Sequence, residues 1–316
     1  MAQHAFSSAL LGRSWVNFHV GQAVPIFLIL MGFNAAQSLD RARVRAERSG
    51  KSQSVYPPGY WSGRARRLLI PYLIVWVIAL LVGLLLGKGH LGVLTLVGVV
   101  PLAATPGNYF ITVLVQFVVV FPAFVACLVR WPRTSLAVAV AVNVAFELAA
   151  GRLSAIGTSP TVRYLYEAAL PKYAVCLVAG VILSQIRPAG LWRVIALPAL
   201  LSIAYLVALQ LDPGAFSWLA PSFSRGTNCF AVFYGVALIV VGLRLLPRVI
   251  ERLPGAWRPL EEVGRASYHI FLVQLVWFGV VTNRSPVIAV AGIAAATAIG
   301  YAFYRLLESS PAIWTG

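Results

Sequence analysis

Acidic residues are scarce in this sequence, with nine Asp and Glu against 25 Lys and Arg among 316 residues. Charged residues together make up only 11% of the chain, whereas they make up about a quarter of a soluble globular domain. Hydrophobic residues reach 60%, and the mean hydropathy is +0.84. This balance excludes an ordinary soluble domain and predicts an integral membrane protein.

Cysteine is also rare, and its spacing argues against a disulfide framework or a metal site. Cys127, Cys176 and Cys229 lie within or beside apolar runs, with neither CxxC nor mixed Cys/His spacing. A disulfide framework or a zinc site requires such spacing. We therefore expect three small packed side chains and no metal centre.

Long apolar runs dominate the chain. A helix needs about 20 residues to cross the roughly 30 Å of hydrocarbon in a bilayer. Nine runs approach that length, at 19–38, 68–87, 109–129, 134–150, 168–186, 191–210, 227–245, 266–282 and 286–305. No linker or repeat divides them, so the pattern predicts an all-α, polytopic transmembrane helix bundle in a single domain, 1–316.

The basic residues are concentrated between these runs. The loop 39–67 carries eight of them against two acidic residues, and the loop 244–265 carries five arginines. The positive-inside rule places both loops in the cytoplasm, which requires that the shorter run at 91–105 does not span. We predict a re-entrant or peripheral segment at 91–105 and an inner (plasma) membrane of bacterial type. Nucleic acid is not an expected partner, because the basic residues do not form one amphipathic face.

Three of these arginines, Arg64, Arg66 and Arg67, are clustered just before the second run. Guanidinium groups match phosphate oxygens bidentately, and positions 64 and 67 share a face if a helix has already begun there. Basic flanks are also ordinary topology signals. The residues alone leave both interpretations open, an anion site and a membrane-facing flank.

Polar residues within the apolar runs are further candidates. An intramembrane acid costs about 2.5–3.5 kcal/mol and is a functional candidate by default. Glu147 lies between Asn143 and Arg152, so a structural ion pair with Arg152 is the alternative, and Glu308 lies just beyond the last run, at its inner end. Other side chains could support a site or serve only as interhelical hydrogen-bonding groups: Asn34, Asn108, Tyr109, Tyr268 and Gln274.

Histidine is the usual general base near neutral pH, and the chain has four of them. His4 and His19 precede or begin the first complete span, and His90 lies in a Gly-rich turn. His269 lies beside an apolar run, a setting typical of a structural histidine. The residues alone do not select one of the four as catalytic.

Five segments occur in the order of known family motifs. VPIFLILMGF resembles the "FFvlSGf" second helix of the membrane-bound acyltransferase 3 family, and YWSGRARRLLIPY resembles the "RxxR…lPy" element that follows it. GNYFITVLVQFVVVFP is similar to "WFlxxLl…yxxxP", VGRASYHIFLVQ to "lgxxSYxiYLvH", and YRLLESSP to the closing "yrxxExP". The resemblance covers nearly the whole chain.

This resemblance implies a ten-helix bundle that moves an acyl group, commonly acetyl from acetyl-CoA, onto a sugar or lipid-linked acceptor. It implies that Arg64, Arg66 and Arg67 bind the phosphates of acyl-CoA, which is a donor substrate and not a bound cofactor. It also implies that His4 is the catalytic base or a transient acyl carrier. Asn108, Tyr268 or Gln274 would steady the oxyanion of the intermediate.

The sequence departs from the family pattern at two places. The family's first helix carries an R-x10-H motif, and counting back from His4 places its arginine before Met1, so we expect that helix upstream. Gln274 stands where the family usually has histidine, and glutamine can hydrogen-bond but cannot act as a base.

Two other functions remain open at this stage. A transporter or flippase for polysaccharide or lipid precursors would also need a polytopic bundle with buried polar residues, although the sequence shows no paired interrupted helices. An inactive relative of the acyltransferases is suggested by the missing first helix and by Gln274.

Overall fold

A computed structural model describes residues 18, 20–50, 55–57, 59–87, 109–155, 160–186, 188–219, 228–281 and 285–309. Every regular element within these ranges is helical, which confirms the all-α prediction. The helices are α1 (Ala23–Arg48), α2 (Tyr60–Leu85), α3 (Tyr109–Arg130), α4 (Pro132–Ala155), α5 (Pro160–Glu167), α6 (Ala174–Gln185), α7 (Pro188–Leu211), α8 (Val232–Arg252), α9 (Pro254–Val280) and α10 (Pro286–Glu308). Short 3-10 turns occupy Val20–Gln22 and Leu170–Tyr173.

Seven of the described helices are long and apolar enough to cross a membrane, namely α1, α2, α3, α4, α7, α8 and α10. The protein is therefore an integral membrane protein with an α-helical bundle. The runs predicted at 168–186 and 266–282 correspond to α6 and α9, which do not belong to this group. The 12 residues of α6 rise only about 18 Å, and the first half of α9 is rich in charged residues. The predicted segment 91–105 and the expected helix before the first span lie outside the described residues.

Helix α1 continues well beyond the predicted span and into the basic segment 39–67. Its buried positions, Pro25, Leu28, Ile29, Gly32, Ala35, Ala36 and Leu39, follow the three- and four-residue spacing of one helical face. The arginines that follow are exposed or half-buried, and the Arg41 and Arg45 side chains donate to backbone carbonyls one turn earlier. The first part of the predicted loop is therefore a charged extension of a helix.

The chain divides into two compact units. The first unit takes its described residues from Gly59–Leu114 and Val249–Gly316, and so contains α2, the start of α3, α9 and α10. The second takes them from Arg13–Pro58 and Val115–Arg248, and contains α1, most of α3, α4 to α7 and most of α8.

In the second unit, α6 packs closely against α1. Eight of the 12 residues of α6 are buried, as expected for a helix that is apolar on most sides. A Cβ atom built on Gly180 would lie less than 3.0 Å from backbone atoms of Ile29 and Phe33, and one built on Gly32 would meet the Leu177 carbonyl. These two glycines therefore allow backbone-to-backbone contact, as small residues do between membrane helices.

A half-buried glutamine fixes the chain just before α6. The Gln116 Nε2 atom donates to the Ala168 carbonyl oxygen at 2.9 Å, and its Oε1 atom accepts from the Leu170 backbone nitrogen at 2.9 Å. One side chain from α3 thus satisfies two backbone groups that no regular helix satisfies.

In the first unit, α2, α9 and α10 surround an apolar core. Its buried residues are Tyr72, Val75, Ala79, Ile111, Leu272 and Leu275. A Cβ atom on Gly300 of α10 would lie less than 3.0 Å from the Ile270 backbone of α9. This close approach brings the middle of α9 and the end of α10 together with the start of α2, where the polar residues of the unit meet.

Candidate active site

A cavity of about 600 Å³ lies in the first unit, between the start of α2, the middle of α9 and the end of α10. Its volume falls within the range of about 300–1,000 Å³ that small-molecule sites occupy. Its lining residues are Arg66, Arg67, Leu68 and Pro71 from α2, Arg265, Tyr268 and His269 from α9, and Tyr304, Leu307 and Glu308 from α10.

The α2 part of this wall is a π-helical turn at Ala65–Leu69. Pro71 follows it, and a proline has no backbone N–H to donate and clashes with the carbonyl four residues earlier, here that of Arg67. A wider turn accommodates this carbonyl, and single π-turns of this kind are frequent at functional sites. The Tyr268 hydroxyl of α9 donates to the Leu68 carbonyl at 3.0 Å, so the irregular turn is held from a second helix.

The arginine cluster predicted from the sequence is split by this turn. Arg66 is half-buried and Arg67 exposed, and both line the cavity. Arg64 is not one of its lining residues, and its guanidinium carbon lies 5.4 Å from the centre of the Tyr60 ring, a cation–π distance. A shared face for positions 64 and 67 assumes α-helical spacing, which the π-turn interrupts.

Arg265 lies at the exposed edge of the cavity. Its guanidinium donates to a Glu261 carboxylate oxygen at 2.6 Å, one turn earlier on α9. The two side chains are 60% and 42% exposed. An exposed pair of this kind contributes little to stability and is easily exchanged for another partner.

His269 lies in the wall of the cavity and is only 9% exposed. Its ring meets the rings of Tyr268, Phe303 and Tyr304, at centroid distances of 5.9, 5.3 and 5.4 Å. Its Nδ1 atom is buried without a hydrogen-bond partner in the described part of the chain. A polar atom left in this state calls for a ligand or a water molecule.

The end of α10 contributes the acidic side of the cavity. The Tyr304 hydroxyl donates to the Glu308 carboxylate at 2.9 Å, and one turn earlier the Tyr301 hydroxyl donates to Glu262 of α9. Among the described residues, three arginines and one glutamate line the cavity, and together these side chains carry two net positive charges. The arrangement suits a small dianionic group.

Sequence reasoning selected Arg66, Arg67, Tyr268 and Glu308, but not Arg265 and His269. Arg265 counted there as a topology signal, and His269 as a structural residue. Their spacing could have linked them, because Arg265 and His269 are four residues apart and residues four apart on a helix lie on the same face.

The other candidates lie elsewhere. Asn34 is exposed on α1, Tyr109 is half-buried at the start of α3, and Gln274 is 4% exposed in α9 and not in the cavity wall. His4 and Asn108 lie outside the described residues.

Glu147 belongs to a polar region in the second unit. It is 2% exposed in α4, and the Asn143 amide, one turn earlier, donates to the Lys172 carbonyl. The Tyr166 ring stacks on Phe146 at 3.9 Å between centroids. Burial and the charge of Glu147 raise the pKa of the Tyr166 hydroxyl to about 12. Arg152, the expected partner of Glu147, is exposed.

A family model described as an acyltransferase domain, that of the acyltransferase 3 family, matches residues 2–305. The match covers nearly the whole chain, including both units and the position of His4. The chain has no match among curated proteins and none among solved structures.

Proposed function

Since the chain belongs to the acyltransferase 3 family, we propose that it transfers an acyl group, most simply acetyl, from acyl-CoA to a hydroxyl group. The acceptor is a carbohydrate or a lipid-linked molecule at the membrane.

The cavity in the first unit is the observation that carries the donor assignment. Acyl-CoA bears several phosphate oxygens at its nucleotide end, and arginine binds such oxygens through two parallel hydrogen bonds. Arg66 and Arg67 reach the cavity from α2, and Arg265 reaches it from α9. Arginines that serve only as topology signals need not meet in one cavity, because such signals act wherever they lie along the loop.

We place this cavity on the cytoplasmic side. The basic segments 39–67 and 244–265 adjoin the helices that form it, and cytoplasmic loops are enriched in arginine and lysine. Acyl-CoA is then supplied from the cytoplasm of a bacterial-type cell, whose inner membrane holds the protein.

The chemistry requires a base, and we assign it to His4. A neutral imidazole removes the proton of the acceptor hydroxyl as its oxygen attacks the thioester carbonyl. The tetrahedral oxyanion then collapses, the carbon–sulfur bond breaks, and the imidazolium returns its proton to the leaving thiolate. In an alternative two-step mechanism, His4 itself accepts the acyl group from the thioester and transfers it to the acceptor hydroxyl. Gln274 and Asn108 are the candidates to steady the oxyanion, because the Tyr268 hydroxyl already donates to Leu68.

The test measures transfer from radiolabelled acetyl-CoA in membranes that contain the full chain. A double variant, Arg66→Gln with Arg67→Gln, removes both charges while keeping polar side chains. Hydrogen bonds to charged groups are worth about 1.5–3 kcal/mol each, so losing one from each arginine costs about 3–6 kcal/mol, and kcat/KM should fall about a hundredfold or more. His4→Ala should lose transfer while still binding the donor.

Arg258→Gln is the matched control, because Arg258 is an exposed arginine of α9 that does not line the cavity. Its kcat/KM should stay within about twofold of the wild type, as expected for a surface charge. Full transfer by the double variant would remove the two arginines from donor binding, and full transfer by His4→Ala would remove His4 from the chemistry.

A further inference from the structure

Two α9 residues of the cavity have no specific role in the function proposed above, where Arg265 counts only as a converging positive charge and His269 does not count at all. Arg265 lies at the exposed edge and His269 in the buried wall. They are four residues apart and reach the same cavity as Arg66 and Arg67.

We propose that Arg265 and His269 make the cavity selective for a terminal phosphate monoester, and so for CoA over dephospho-CoA, which lacks the 3′-phosphate. The inference rests on the proposed function, because it concerns the same donor. The part of the donor held by the cavity is then the 3′-phosphate of CoA.

The charge of the cavity favours a monoester. The three arginines and one glutamate that line it in the described part of the chain leave two net positive charges. A phosphate monoester carries about −1.5 to −2 charges on a single phosphorus at pH 7. Each phosphorus of the diphosphate bridge carries about one charge and continues into chain on both sides, so a confined site fits the terminal group better.

Arg265 can engage such a group without losing a buried interaction. Its bond to Glu261 lies at the surface, where ion pairs are weak and screened by salt. Because the fork of a guanidinium has five N–H donors, Arg265 can hold a phosphate oxygen and keep part of its contact with Glu261. The cavity therefore gains a third cation from a helix other than α2.

His269 supplies a hydrogen-bonding group that the apolar surroundings do not satisfy. Three aromatic rings fix its orientation, and its Nδ1 atom has no partner in the described residues. Glu308 and Tyr304 face the same cavity and are bonded to each other. A phosphate oxygen arriving between Arg66, Arg67 and Arg265 would give the imidazole its hydrogen-bond partner.

The experiment is a competition assay on membranes that contain the full chain, with labelled acetyl-CoA as the bound probe. The competitors are CoA, dephospho-CoA and adenosine 3′,5′-bisphosphate, which has the monoester but no pantetheine arm. Wild type should bind CoA at least about tenfold more tightly than dephospho-CoA, as one charged hydrogen bond predicts. Adenosine 3′,5′-bisphosphate should also displace the probe.

Two variants remove the proposed selectivity, and two test its cause. Arg265→Gln and His269→Leu should each reduce the ratio of the affinity for CoA to that for dephospho-CoA to about threefold or less. Each substitution should weaken the binding of CoA more than the binding of dephospho-CoA. His269→Gln keeps an N–H donor and should retain part of the preference. Arg258→Gln should leave the preference unchanged.

Three results would count against these assignments, and they differ from one another. Absence of displaceable acetyl-CoA binding in wild type would overturn the proposed donor together with this inference. Equal competition by CoA and dephospho-CoA, with binding and transfer intact, would overturn this inference alone. A preference for CoA over dephospho-CoA that persists in both Arg265→Gln and His269→Leu would show that other residues bind the phosphate.

Discussion

Replacing Gly180 with alanine tests the backbone contact between α6 and α1. The added Cβ would lie less than 3.0 Å from the backbone of Ile29 and Phe33, which real Cβ atoms essentially never show. Because the contacted atoms are backbone, no side-chain rotation can relieve the overlap, and the helices must move apart. Gly180→Ala should therefore destabilise the second unit.

The size of the effect follows from two opposing contributions. Overpacking costs about 1–3 kcal/mol, and a backbone contact belongs near the upper end of that range. Alanine in place of glycine in a helix interior returns about 1 kcal/mol through helix propensity. The net loss is about 2 kcal/mol, which corresponds to a Tm lower by about 4–8 °C for a folding unit of about 150–250 residues, the size of the second unit.

The assay is thermal unfolding of the detergent-solubilised protein at one fixed heating rate, because membrane proteins often unfold irreversibly. Gly242→Ala is the matched control, since Gly242 lies in α8 with nothing within 4 Å of its built Cβ. The control should melt at or slightly above the wild-type temperature. A Gly180→Ala variant that melts at or above that temperature would refute the close approach of the two helices.

Four further substitutions probe other parts of the molecule. Gln116→Leu leaves two backbone groups without their partner, one on buried Ala168 and one on half-buried Leu170, so it should cost about 2 kcal/mol and lower the Tm by several degrees. Gly300→Ala should push α10 away from α9, lowering the Tm and raising the KM for acyl-CoA together, since that contact shapes the cavity. Tyr268→Phe removes the bond that holds the π-turn and should raise the KM for acyl-CoA about twofold to tenfold with little change in Tm. Tyr166→Phe should lose less stability than wild type between pH 10 and 12, because Glu147 and burial raise the pKa of the hydroxyl to about 12 in the folded protein.

The controls and opposing results differ among these four. Gln37→Leu on the exposed face of α1 should leave the Tm unchanged, and an equal effect at both glutamines would contradict the role of Gln116. A Gly300→Ala protein with normal Tm and KM would show that the α9–α10 contact tolerates a methyl group. For Tyr268→Phe, a fall in kcat with unchanged KM would point to the chemical step instead of donor binding. For Tyr166, parallel loss of stability by wild type and variant above pH 10 would contradict the raised pKa.

The helices could be predicted from the sequence because their cause is local. The lengths of the apolar runs gave the spans, and α1 shows the expected spacing of buried residues from Pro25 to Leu39. Helix ends were less predictable, since α1 continues through arginines that no hydrophobic pattern marks. The failure of 168–186 to form one long helix also has a local cause, because Pro171 lies in a 3-10 turn before α6.

The candidate site could be predicted only in part, because it is assembled from distant segments. Arg66 and Arg67 were found as a cluster in sequence, whereas Arg265 joins them from about 200 residues later. From the sequence alone, Arg265 is interpreted as a topology signal, because it ends a basic loop. The acidic residues near it, Glu261 and Glu262, belong to the same helix and do not indicate a binding site. His269 is not singled out by the sequence for a similar reason, because a histidine beside an apolar run is usually a structural residue.

The π-turn at Ala65–Leu69 amounts to one residue inserted into an otherwise regular helix. An α-helix turns by about 100° per residue, so the segment before this turn is out of phase with the buried stripe of Pro71, Tyr72, Val75 and Ala79 that follows it. Loss of a single residue there would restore the regular winding and rotate the arginines around the helix, while the stripe would keep its place in the core. The proposed donor site therefore depends on chain length at one turn as much as on residue identity, and a deletion too small to disturb the fold could still remove it.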